Sequence, residues 1–69
     1  MKTTLNRQVF EAQMRASNTS MNRIAVALGV AGPSVIQWRD GRNTPTLTNA
    51  LRLSAMLGVD PRELFEVHP

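Results

Sequence analysis

Residues 21–41 read MNRIAVALGVAGPSVIQWRDG, and this stretch decides the fold. Met21, Ile24, Ala25 and Leu28 recur at i, i+3, i+4 and i+7, one face of an α-helix. Ser20 precedes them as an N-cap whose hydroxyl can accept a free first-turn N–H. Gly29 follows the last periodic residue, where a helix end favours positive φ. Pro33 suits the first position of a second helix and pushes Gly32 out of the α region, so Gly32 is read as its N-cap. Val35 and Trp38, three apart, supply that helix with a buried face, and Gly41 ends it.

Counted from Met21, Ala25 is fifth, Gly29 ninth, Val35 fifteenth and Trp38 eighteenth. Two helices crossing over a short turn need a small residue at the crossing, a glycine at the turn and a branched apolar residue locking the second helix. This pattern resembles the helix-turn-helix of the Cro/cI, lambda-repressor-like (XRE) family of DNA-binding proteins. The resemblance continues through Pro45 and Leu47–Phe65 and covers about two-thirds of the chain. It implies an all-α fold, a compact five-helix lambda-repressor-like domain spanning residues 1–69 with its motif at 21–41.

Size and composition agree with one small domain. A chain of 69 residues builds only a marginal core. There is no cysteine, so no disulfide or thiolate metal site is available. The single histidine, His68, has no accompanying ligand, and no metal or cofactor is expected. The net charge is +3 and the pI about 11.2. Seven of the eight basic residues are arginine, whose rigid fork suits phosphate. No apolar run approaches membrane-spanning length and no signal peptide is visible, so a cytoplasmic protein without a membrane partner is expected.

Ahead of the motif, Met1 to Thr4 reads as a short polar arm. Thr3 or Thr4 can cap a first helix from about Leu5 to Ser17, with Leu5, Val9, Phe10, Ala12 and Met14 as its apolar stripe. Asn18 can take the left-handed conformation that ends it. Lys2 and Arg7 read as solvated charges. Relatives often pair a base in this helix with an acid in the recognition helix. Arg15 is a candidate base, but the acid's position holds Arg39, which is therefore a phosphate contact or a solvated charge favoured by the helix dipole.

In the motif itself, the resemblance places residues 21–28 across the DNA backbone. Relatives commonly begin that helix with glutamine; Met21 cannot donate the same hydrogen bond. The free first-turn amides still attract phosphate, and Asn22 and Arg23 flank them as replacement donors. Ala31 stands where relatives carry a capping Ser or Thr, and Gly32 and Pro33 replace their first base-reading side chains. Direct readout then falls to Ser34 and Gln37, three apart on the outward face. Gln37 can grip the N6 and N7 edge of adenine. Ile36 either packs on a thymine methyl or helps close the core. Trp38 is read as core.

Beyond the motif, Asp40 to Pro45 form an exit loop. Arg42, Asn43 and Thr44 occupy positions where relatives grip the phosphate backbone, and Asn43 can also reach a base edge. Thr46 caps a helix from Leu47 to about Leu57, apolar nearly all round and read as the central buried helix. Gly58 stops it. Asp60-Pro61 opens a last short helix through Glu66. Leu64, Phe65 and Val67 give that helix an apolar side that either completes the core or in part faces a twin subunit, and they are assigned to a dimer interface.

The expected function is a sequence-specific transcriptional regulator, a small phage-type or bacterial repressor occupying a double-stranded DNA operator as a homodimer. The chain stops soon after the DNA-binding fold, leaving no expectation of a ligand-sensing domain or small-molecule ligand. Relatives bind as dimers with recognition helices about one DNA turn, ~34 Å, apart. The alternative is a protein-interaction module, an adaptor or antitoxin, favoured by the poor hydrogen bonding of Met21, Gly32 and Pro33. No nucleophile–base pair or carboxylate cluster suggests an enzyme, so no catalytic residue is assigned.

Overall fold

In the computed structural model, which describes residues 2–69, the chain forms five helices and a two-stranded sheet. The order is β1 (Lys2–Leu5), α1 (Arg7–Ala16), α2 (Met21–Leu28), α3 (Gly32–Arg39), α4 (Leu47–Leu57), α5 (Pro61–Leu64) and β2 (Phe65–His68). The fold is all-α in class, the sheet being a minor addition. No helix among the described residues is long and apolar enough to cross a membrane.

The N-terminal reading is corrected: Lys2–Leu5 is a strand, and Met1 lies outside the described residues. β1 pairs antiparallel with β2, Thr3 opposite Val67 and Leu5 opposite Phe65. The cap of α1 is Asn6, neither Thr3 nor Thr4. Asn6 Oδ1 accepts the Val9 N–H at 3.2 Å, and the Asn6 N–H donates to the Leu64 carbonyl at 2.7 Å. One residue thus closes the strand ladder and opens the helix. Asn18 takes the left-handed conformation, φ 50°, and ends α1.

α4 spans the expected residues, with the Thr46 hydroxyl accepting the Asn49 N–H and Gly58 left-handed at its end. Its surroundings differ from the expectation. Leu53, Ser54 and Leu57 are buried, while Leu47 and Leu51 face outward. Too few elements exist to surround a central helix in a domain this small. Ser54 tolerates burial because its hydroxyl donates to the Ala50 carbonyl at 2.9 Å.

The last helix is also shorter than expected. α5 stops at Leu64 because Phe65 turns extended, φ −116° and ψ 144°, and enters β2. Leu64 is fully buried, so it is core and cannot line an interface between subunits. The core is one cluster: Leu5, Phe10, Ile24, Ala25, Leu28, Val35, Trp38, Leu53, Leu57 and Leu64. Every helix, and β1, contributes to it.

Candidate nucleic-acid interface

α2 and α3 are held by residues whose positions follow from the motif spacing. The Ser20 hydroxyl accepts the Arg23 N–H at 3.2 Å, and Gly29 closes α2 at φ 69°. Ile24, Ala25 and Leu28 are buried on one side; Val35 and Trp38 answer from α3. The Val30 N–H bonds back to the Ala25 carbonyl at 3.0 Å, so the turn is fixed by backbone as well as packing.

The start of α3 is a correction. Gly32 is its first residue and Ala31 its N-cap, extended at φ −68° and ψ 145°, with no side chain to bond the first turn. Pro33 is tolerated one position later than expected, because proline loses no helical bond anywhere in the opening turn. The outward start of α3 is therefore Ala31, Gly32 and Pro33, all exposed.

The expected base readers sit on the outer side of α3. Ser34 and Gln37 are half-buried, and Ile36 is 42 % exposed. Of the two readings of Ile36, packing within the core is excluded by that exposure. The Gln37 carbonyl accepts the Arg42 N–H at 2.9 Å and the Asn43 N–H at 3.4 Å. Gly41, at φ 75°, makes this reversal possible. The backbone of α3 thereby fixes where Arg42 and Asn43 emerge.

Arg39 is brought to the opening turn of α2. Its Nη1 donates to Met21 Sδ at 3.7 Å, and its Nε to Asp40 Oδ1 at 2.9 Å. A cation thus stands beside the residue that replaces the family's glutamine. The link between α1 and α3 expected of relatives is remade differently: Arg7, rather than Arg15, approaches Asp40 Oδ1 at 3.6 Å while also holding Glu11 at 3.1 Å. Asn22 and Arg23 are exposed in the first turn of α2.

Two loop residues have local duties. Thr44 donates its hydroxyl to the Thr3 carbonyl at 2.6 Å and its N–H to Asn43 Oδ1 at 3.0 Å. The hydroxyl holds the loop to β1 and the amide is used within the loop, which removes Thr44 from the donors available to phosphate. Asn43 keeps its side-chain N–H₂. Arg52 went unnoticed in the sequence: its Nη2 donates to the Ala27 carbonyl at 2.9 Å, tying α4 to the last turn of α2. No local signal marks it, because donor and acceptor meet only when the helices pack.

Hydrogen bonding to Arg39, then the charges of Arg39, Arg7 and Arg42, hold the Asp40 carboxyl below its usual range. Asp60 is lowered likewise by Arg62. Lowered folded values mean that the stabilisation is present above the ordinary carboxylate pKa of ~3.9 and lost as pH falls through the folded values. Melting temperature is expected to drop below about pH 4, with Asp40→Asn giving a shallower acid limb. Identical limbs in pH-dependent melts would show that the Asp40 pairs contribute nothing, as many exposed pairs do.

A family model described as helix-turn-helix matches residues 11–64. A solved structure similar to this chain is "Crystal structure of a putative DNA-binding protein from Bacteroides fragilis". The two share 17 % identity at a TM-score of 0.76, over 94 % of this chain and 100 % of that one. At that identity the likeness concerns the fold. No curated protein matches the chain.

Proposed function

The chain belongs to the helix-turn-helix family, of the XRE, lambda-repressor-like type, and from that premise we propose that it is a repressor that occupies a DNA operator as a homodimer. The coarser statement, a DNA-binding regulator, rests on the family itself. The observation that carries the finer reading is the surface of α3 and its flanks. Ile36 is exposed on α3, Arg39 at its end reaches Met21 in the first turn of α2, where Arg23 is exposed, and the Gln37 carbonyl holds the amides of Arg42 and Asn43.

In this reading Gln37, Ser34 and Ile36 touch base edges, and Asn43 reaches a further edge. Asn22, Arg23, Arg39 and Arg42 hold phosphates, helped by the open amides at the start of α2. A Gln37 side chain and an Ile36 methyl favour A·T pairs, which present the adenine N6/N7 edge and the thymine methyl. Binding needs no cofactor, and no catalytic group is assigned.

The test is selection of sites from random duplexes followed by salt titration. A dimer neutralising about eight phosphates should show a slope of log affinity on log salt of about −7. The competing reading, a protein-interaction module, draws on the exposed apolar start of α3 at Ala31, Gly32 and Pro33. It predicts no selected site and a flat salt response with any duplex.

A further inference from the structure

We propose that α3 reads the C5-methyl groups of pyrimidines through an apolar pair, Pro33 and Ile36, so that 5-methylcytosine is recognised as thymine is. Pro33 is then a specificity-determining residue. This rests on the operator reading above and names the chemical group that is read.

α3 begins at Gly32, and its buried residues are Val35 and Trp38. At ~100° per residue, those two lie ~200° and ~140° round the helix axis from Pro33. Pro33 therefore points directly away from the core. Ile36 and Gln37 flank it, ~60° to one side and ~40° to the other. Accessibility agrees: Pro33 and Ile36 are exposed, whereas Gln37 and Ser34 are half-buried. The side chains that stand furthest out on α3 are thus apolar.

Gly32 leaves that pair uncovered. It precedes Ile36 by four residues and shares its side of the helix. A Cβ at Gly32 would meet no atom within 4 Å, and Gly32 is not among the glycines with positive φ. Neither packing nor backbone conformation calls for glycine at this position. Its consequence is on the outer surface, where a longer side chain would lie against Ile36.

The partner follows from the chemistry of the pair. Neither side chain carries a donor or an acceptor, and Pro33 has no N–H. The major-groove edges of the four bases offer one apolar group, the C5-methyl of thymine. Cytosine methylated at C5 carries the same group at the same ring position. Two side chains fall far short of the ~800 Å² that a stable protein interface takes from each partner. Arg39 at the end of α3, and Arg42, whose amide the Gln37 carbonyl holds, bring cations suited to phosphate.

The test uses the full-length protein and a duplex selected from random DNA. Each thymine is replaced in turn by deoxyuridine, which removes only the methyl. Burying one methyl is worth about fourfold in affinity, and a loss of that size is expected at the thymine under Pro33 and Ile36. A C·G pair at that position should bind more weakly than T·A, and methylating its cytosine at C5 should regain about fourfold. In the double variant of Pro33→Ala and Ile36→Ala both differences should vanish. Both side chains are exposed and outside the core, and circular dichroism should be unchanged. Each single variant should lose part of the difference, so the assignment does not depend on the double variant folding. If no deoxyuridine weakens binding of wild type, methyl reading is overturned while the operator reading stands on the selected duplex. Equal losses in wild type and variants overturn the roles of Pro33 and Ile36 and place the effect in the stacking of the DNA itself. If random DNA yields no preferred duplex, as a protein-interaction module would give, the operator reading fails and this proposal with it.

Discussion

Trp38→Ala is expected to unfold the domain. Trp38 is 4 % exposed and packs within the single core that joins the helix-turn-helix to α4. Truncating a buried Trp or Phe to Ala costs about 3–5 kcal/mol. A chain of 69 residues has a total stability of roughly 3–10 kcal/mol at ordinary values per residue. The loss is therefore comparable to the whole, and binding to every duplex should disappear with it. Trp38→Phe leaves a smaller cavity and should retain the fold with a lower melting point. Ile36→Ala, one turn face away and exposed, should shift stability by no more than about 0.5 kcal/mol. Denaturant titrations followed by circular dichroism compare the three. If Trp38→Ala melts like wild type, the indole does not close the core. If Ile36→Ala melts early, Ile36 is structural and its assignment to a base edge fails.

Gln37→Ala and Arg42→Ala should separate sequence reading from backbone binding. Losing a bidentate base contact costs about 1–3 kcal/mol on the preferred site alone. What anchors the exit loop at residue 37 is the backbone carbonyl, which accepts from Arg42 and Asn43. Removing the side chain therefore leaves Arg42 in place. Gln37→Ala should bind non-specific duplex nearly as wild type does while losing discrimination at one base pair. Arg42→Ala should weaken all duplexes alike and make the salt slope shallower by about one unit, since a phosphate contact carries no sequence information. Affinities of both variants for both duplexes at two salt concentrations decide the matter. Equal losses on both duplexes for Gln37→Ala would move readout to Asn43 or to DNA shape.

These two experiments bear on parts of the protein with different origins. The limits of α2 and α4, their caps at Ser20 and Thr46, and the left-handed turns at Asn18, Gly29 and Gly58 were legible in the sequence. Each is decided within one or two helical turns, by an oxygen three residues from an amide or by a residue that tolerates positive φ. The buried faces of α2 and α3 were legible too, because periodicity places Ile24, Ala25, Leu28, Val35 and Trp38 on them before any partner is known.

The strands were not legible. Lys2–Leu5 and Phe65–His68 are four residues each, and neither is stable without the other. Their pairing turned Leu5 from a helical residue into a core strand residue, made Asn6 the cap of α1 and cut α5 at Leu64. The capping of α3 by Ala31 departed from the local rules as well, tertiary packing of Val35 and Trp38 holding a start that no side chain stabilises. Periodicity marked α4 as apolar nearly all round but could not show which side would find neighbours. The bond from Arg52 to Ala27, the approach of Arg7 to Asp40 and the staple from Thr44 to Thr3 likewise join segments distant in the chain. By itself, then, the sequence determined the elements whose stabilising groups lie within a few residues of one another. The tertiary structure alone decided which edges, faces and charges meet, because those energies arise only once the loops between them have closed.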